Sequence, residues 1–355
     1  MLRTSGKPLL SAWLFLTACA TGGPPPAPGP LSVRHEGQES HTTALLIAVS
    51  AVSDSVAWVS GAQGTWLRTV DGGSTWQGGR VAGADSLQFR DVYALDANRA
   101  WLLSIGPGAG SRIYQTSDGG AHWAAQFTNA DPDAFFDCLD FWEARRGIVV
   151  GDAQEGRTGL LLTNDGGVHW TRVPASSAPE ASAGEGSFAA SGTCLVTRPA
   201  GRAWIVAADS LRSRVLRSTD YGQTWASSLL PLTTRAGAGA QSVAFRDATH
   251  GIALAGGNTA RLGDDNVAVT EDGGATWSRR GRLPMASGAW GGVYVPGTTR
   301  PVVVAVGPAG LAWSGDDGTT WISIDTLNYW SVGFASPRAG WAVGAKGRIT
   351  RLSGF

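Results

Sequence analysis

The stretch Thr69-Val70-Asp71-Gly72-Gly73-Ser74-Thr75-Trp76 returns, with substitutions, five more times along the chain. Its copies end at Trp123, Trp170, Trp225, Trp277 and Trp321, so the six tryptophans stand 47, 47, 55, 52 and 44 residues apart. A unit of roughly 40–50 residues repeated in series marks a propeller or a solenoid. Within the stretch the chemistry is that of a hairpin turn. Asp71 and its counterparts Asp118, Asp165, Asp220, Asp272 and Asp316 can accept backbone N–H groups a few residues on and hold a tight turn closed. The glycine two residues later, Gly73 in the first copy, takes a backbone geometry that a side chain resists. The leading Ser or Thr adds a local hydrogen bond, and the closing Trp starts a strand with a large apolar surface. These aspartates therefore read as structural, each serving its own turn. His122 and His169 fill the slot of Thr75 and read as turn variants rather than metal ligands.

Outward from the turns, each repeat reads as four short strands with turn signals between them. The second repeat supplies an inner strand at 91–95, a turn at 96–98, strands at 100–105 and 112–116, and a fourth strand starting at Trp123. Seven inner strand pairs can be counted against six repeated turns, because the last unit, 330–355, stops after its third strand. The segment 31–36 precedes the first unit and can supply the missing strand, which closes a ring and covers open sheet edges. The expectation is an all-β fold: a seven-bladed β-propeller of four-stranded antiparallel blades, spanning 31–355 and closed by an N-terminal strand in the last blade.

Composition agrees with that reading. The chain has 355 residues, 50 of them Gly and 16 Trp, and many short strands need many turns. Formal charge is zero and only Lys7 and Lys346 are lysines, so nothing points to nucleic acid. The five histidines show no paired metal spacing, the run 106–110 is a Gly-rich loop with no following helix, and no G-x-S-x-G elbow occurs. The run 263–266 carries oxygen ligands without the spacing of a known Ca²⁺ loop. No metal and no cofactor are expected.

In a propeller, the turns between strands one and two and between three and four share one face, which holds the repeated turns. The other face holds the strand-two to strand-three turns and the blade-to-blade connections. The irregular insertions fall there, at 152–159, 171–191, 209–214 and 256–266. Long loops on a rigid scaffold are where binding resides. The candidate binding residues are Asp152, Glu155, Arg157, Glu185, Asp209, Arg212, Arg214, Asn258, Arg261, Asp264 and Asp265. At the channel-facing position the inner strands read Asp91, Cys138, Cys194, Ser242 and Ser331, a small polar ring suited to water. Cys138 and Cys194 occupy matching places in successive repeats, which leaves open a disulfide between neighbouring blades or two free buried thiols.

At the N-terminus, Arg3 and Lys7 precede an apolar run, 9–16, too short for a mature transmembrane helix. It ends in Leu16-Thr17-Ala18-Cys19, which resembles a bacterial lipobox. The resemblance implies cleavage before Cys19, lipidation of its thiol, and a signal peptide at 1–18. The alternative is an ordinary secretory signal cleaved near Ala20. The stretch 19–30 is Gly/Pro-rich and reads as an extended tether.

The repeated turn is identified as an Asp-box, or BNR repeat. Sialidases resemble the chain only there, since the R-I-P signature that precedes their catalytic arginines is absent. The phrases 250–257 and 340–349, with the turns, resemble the photosystem II stability/assembly factor family over about 42–355. Members are single seven-bladed Asp-box propellers exported across a membrane. The resemblance implies a non-enzymatic, lipid-anchored, monomeric propeller on the periplasmic face of a membrane or at the cell surface. It would bind a protein partner or assist assembly of an envelope complex. The alternatives are an extracytoplasmic, sialidase-like glycosidase and a glycan-binding module.

Overall fold

A computed structural model describes residues 1–2, 31–257, 263 and 265–355. Residues 32–355 form one compact unit, which carries every described strand. The strands are grouped in seven four-stranded antiparallel sheets. Strand β1 (Arg34–Gln38) is the first described strand. Blade one is β2 (Leu46–Ala51), β3 (Ala57–Gly61), β4 (Thr65–Thr69) and β5 (Gln77–Arg80). Blade two is β6 (Gln88–Ala94), β7 (Ala100–Ile105), β8 (Arg112–Thr116) and β9 (Ala124–Thr128). Blade three is β10 (Phe136–Glu143), β11 (Arg146–Gln154), β12 (Arg157–Thr163) and β13 (Thr171–Arg172). Blade four is β14 (Leu195–Arg198), β15 (Arg202–Ala208), β16 (Ser213–Ser218) and β17 (Ala226–Leu230). Blade five is β18 (Ala238–Phe245), β19 (Gly251–Gly257), β20 (Val267–Thr270) and β21 (Ser278–Arg279). Blade six is β22 (Gly291–Tyr294), β23 (Val303–Gly307), β24 (Gly310–Ser314) and β25 (Ile322–Asp325). Blade seven is β26 (Tyr329–Ser336), β27 (Ala339–Gly344) and β28 (Arg348–Ser353), completed by β1.

Closure follows from pairing. β1 runs antiparallel to β28 with Arg34 opposite Ser353 and Gln38 opposite Ile349. The closing strand lies slightly later than the sequence suggests, at 34–38 rather than 31–36. Blade seven thus gains an outer strand from the opposite end of the chain.

The turns form as their residues dictate. In the first, Thr69 Oγ1 donates to Asp71 Oδ1 at 2.8 Å and accepts the Gly73 N–H at 2.8 Å. Asp71 then accepts the Thr75 N–H at 2.9 Å and the Thr75 hydroxyl at 2.6 Å. Gly73 has φ +86, in the left-handed region that glycine enters without strain. In the second and third turns, His122 and His169 place Nδ1 2.7 Å from Asp118 and Asp165, where the Thr75 hydroxyl sits in the first. These local donors hold Asp71, Asp118, Asp165 and Asp272 down to about 2.

Tryptophan fills the space between blades. Trp58, Trp101, Trp204 and Trp341, all on second strands, are fully buried. Trp58 meets Trp66 at 5.7 Å and Trp123, from the turn of blade two, at 6.0 Å. Trp204 of blade four stacks on Phe245 of blade five at 3.7 Å, and Phe245 meets Trp277 edge-on. Burying such a ring contributes about 3 kcal/mol, so the blade seams are the principal source of stability.

Candidate functional site

The channel-facing residues do not line an open, water-filled ring. Each is buried and bonded to another blade or, for Ser331, to the segment between blades three and four. Cys138 and Cys194 form a disulfide with Cα atoms 6.1 Å apart, stapling blade three to blade four. Asp91 accepts the N–H of Val92 at 2.8 Å and that of Leu139, on blade three, at 2.7 Å. Ser242 donates to the Gly292 carbonyl at 3.2 Å. Burial pushes Asp91 well above the usual carboxylate range.

The long insertion between blades three and four explains why the ring is closed. Its last residues, 186–193, bond in turn to inner residues around the axis. Gly186 pairs with Ala208, and Ser187 donates to the Val206 carbonyl at 2.9 Å. The Ala189 carbonyl accepts from Arg90 of blade two at 2.9 Å. Ser191 donates to the Trp290 carbonyl at 2.7 Å, and the Ser191 carbonyl accepts the Ser331 hydroxyl of blade seven at 2.8 Å. Thr193 donates to Ser242 of blade five at 2.8 Å. One segment that reaches first-strand positions on blades two, five and seven must lie over the axis. It is a strap across the channel mouth. Gly192 seats it: a Cβ there would lie 2.2 Å from the Asp91 carboxylate.

Beside the strap stand two interior carboxylates. Asp137 is the extra residue of a bulge in β10, between Phe136 and Cys138, and is 1% exposed with Oδ2 buried and unpartnered. Asp152 ends the regular part of β11, and the Ser187 N–H of the strap bonds it. Burial lifts Asp152 to about 6 and Asp137 well above the ordinary range, with Asp152 adding repulsion and Arg90 opposing it. Arg90 also lies 5.0 Å over the Trp330 ring, and Trp330 meets Trp290 edge-on at 4.5 Å.

The loop-face residues singled out in the sequence fall into three groups. Glu185 and Arg214 form a buried ion pair at 2.5 Å that anchors the strap, whose neighbouring Ala153 N–H donates to the Glu185 carbonyl at 3.0 Å. Arg157 bonds the Ala178 carbonyl at 3.2 Å and Glu180 at 3.6 Å, while Arg212 donates to Ser182 at 2.6 Å. Asp209 is held below its ordinary range chiefly by the Leu211 N–H at 2.7 Å, and Asp265 pairs with Arg279 at 3.2 Å. Glu155 stands exposed at the tip of the β11–β12 turn, beside a 460 Å³ groove that Arg157 also lines. Asn258, Arg261, Asp264 and Cys19 lie outside the described residues. Asp152 and Glu185 therefore meet at the strap, whereas Asp209 bonds within its own loop and Asp265 pairs with β21. Sequence reasoning missed Asp137, Arg90, Trp290 and Trp330. Arg90 and Asp137 precede the ring residues Asp91 and Cys138, where alternation would aim them elsewhere; the bulges turn them.

Among the described residues no group of three or more His, Cys, Asp or Glu is placed to hold a metal, and no helix is long and apolar enough to cross a membrane.

No family model matches the chain, and no curated protein matches its sequence. Solved structures do match its shape. The structure of YCF48 bound to D1 peptide is 20% identical with a TM-score of 0.61, covering 92% of this chain and 99% of that one. YCF48 from Cyanidioschyzon merolae is 15% identical with a TM-score of 0.66, covering 90% and 98%. The Pan2 WD40 domain of Neurospora crassa is 10% identical with a TM-score of 0.59, covering 90% and 89%. At these identities the likeness establishes the propeller fold.

Proposed function

We propose that this chain is a non-enzymatic Asp-box propeller that binds a protein partner through its loop face, and so supports assembly or stability of an envelope complex. It works outside the cytoplasm as a bacterial lipoprotein, anchored through Cys19 at the periplasmic face of a membrane or at the cell surface. The strap carries this reading. A propeller enzyme needs a reachable depression at the channel mouth, and here 186–193 cover it. Of the carboxylates nearest the mouth, Asp91, Asp152 and Glu185 are tied to backbone N–H groups or to Arg214, and Asp137 is buried beside the strap. What faces solvent instead is a rim of loops on blades three and four, where Glu155 is exposed and Leu211 is 85% exposed. Protein recognition suits a broad face with isolated apolar anchors. The similarity to a propeller solved with a bound peptide supports the same reading.

The test is capture of the intact chain from its own membranes alongside Leu211→Glu and Glu155→Arg variants, both at exposed loop tips that leave the fold untouched. A discrete protein held by the wild type and lost from both variants supports the reading. Equal recovery with all three, or none with any, removes it.

A further inference from the structure

On the opposite face, at the seam between blades three and four, lies a second groove of about 550 Å³. Trp142, Leu162 and Tyr221 supply its apolar lining. Two of these residues stand where the repeat does not require them. Tyr221 has φ +63 at the position that holds Gly72, Gly119, Gly166 and Gly273 in four other turns. A bulky side chain in the left-handed region is strained, and such strain persists where a structure has a use for the residue. The other departure, Asp317 at φ +60, has its use in the fold: it accepts the Tyr294 hydroxyl at 2.5 Å and pairs with Arg246. Trp142 is the extra residue of a second bulge in β10, between Phe141 and Glu143, a device that re-aims a side chain. Its indole N–H is fixed to the Arg202 carbonyl at 2.6 Å, and its ring meets Tyr221 at 5.5 Å and 72°. Arg146 lies 4.3 Å over the Tyr221 ring.

We propose that this groove binds a pyranose ring of a glycan. A sugar presents an apolar C–H face, which suits an aromatic floor, and a rim of hydroxyls, which need several fixed polar partners. The groove supplies both. Asn164 and Gln223 bring amides that donate and accept, and Arg146 brings a guanidinium. His169 lines the groove with Nδ1 engaged with Asp165 at 2.7 Å and its ring largely exposed. The volume falls within the roughly 300–1,000 Å³ of small-ligand sites. An extended peptide would instead seek a strand edge to pair with, and the outer strand here, β13, is two residues long. The groove lies across the molecule from the strap, so the inference stands apart from partner binding at the loop face.

Isothermal titration calorimetry of the full chain with maltohexaose, cellohexaose and chitohexaose tests it. At least one hexaose binds the wild type, and Tyr221→Gly and Gln223→Ala each weaken it about tenfold. Tyr221→Gly relieves the left-handed strain but deletes the Trp142 contact, so its Tm is measured beside its affinity, while Gln223 is exposed and the loss in Gln223→Ala does not reflect unfolding. Wild-type affinity in both variants overturns the proposal, as does failure of all three sugars to bind. If no sugar binds while a hexaproline peptide does, the groove is a peptide site and the proposal fails.

Discussion

Ser331 donates its hydroxyl to the Ser191 carbonyl at 2.8 Å, across 140 residues of sequence. That bond ties blade seven, which closes the ring, to the strap, which covers it. Both serines are buried, so neither group has water as a substitute partner. Ser331→Ala leaves a buried carbonyl short of its donor and costs about 1–3 kcal/mol. Thermal unfolding should shift down by several degrees. Limited proteolysis should cut within 186–193 in the variant before any blade opens.

The pH profile has two arms of opposite sign. Asp152 titrates at about 6 in the folded chain against 3.8 as its ordinary value. Between those values the folded state binds more protons than the unfolded state, so stability falls as pH rises from about 4 to 6. Asp140, lifted to about 6 by burial, acts in the same window and the same direction. The turn aspartates, held near 2, do the reverse: their contribution is present above about 4 and fades as pH falls toward 2. Denaturant titrations should show greatest stability on the mildly acidic side. Asp152→Asn keeps an oxygen for the Ser187 N–H and removes the charge, so it should flatten the slope between pH 4 and 6. An unchanged slope would contradict the burial of this carboxyl.

The disulfide joins residues 56 apart on adjacent blades. Closing a loop of that size removes unfolded-state entropy equivalent to about 4 kcal/mol. Cys138→Ser with Cys194→Ser should lower stability by up to that amount. In the native wild type both sulfurs are fully buried, so mild reductant should leave the melting curve unchanged until the chain opens.

Gly120 tests the turn geometry. It has φ +91, and a Cβ there would lie 2.3 Å from the Trp66 ring. Gly120→Ala combines left-handed strain with overpacking at the seam of blades one and two, and should cost about 2–4 kcal/mol. Gly37 is the control: a Cβ there meets nothing within 4 Å, so Gly37→Ala should be close to neutral.

The fold was legible because its information is local and repeated. One turn phrase carries the hydrogen bonds of Asp71, the left-handed glycine and the interblade Trp together, so six copies specify six blades. The unfinished last repeat pointed to β1. The site was less legible because it is made by non-local contacts. Nothing in the insertion 171–191 announces that Ser191 will reach Trp290 and Ser331, or that bulges in β6 and β10 will turn Arg90 and Asp137 toward it. Charged loop residues such as Glu185 and Asp209 also make contacts within the fold that the sequence does not announce.

Lipid anchoring is checked by fractionation. Cys19→Ser should move the chain from the membrane fraction to the soluble extracytoplasmic fraction and abolish incorporation of labelled palmitate. Retention in the membrane with no label would point instead to an uncleaved signal.

Site-resolved photo-crosslinking tests partner binding at the loop face most directly. A photoreactive residue is placed at Glu155, on the exposed loop face, and separately at Val70, exposed on the opposite face. A single protein species crosslinked from Glu155 and absent from Val70 is the predicted result. Crosslinking from Val70 alone, or the same products from both positions, would contradict recognition through the face that the strap covers.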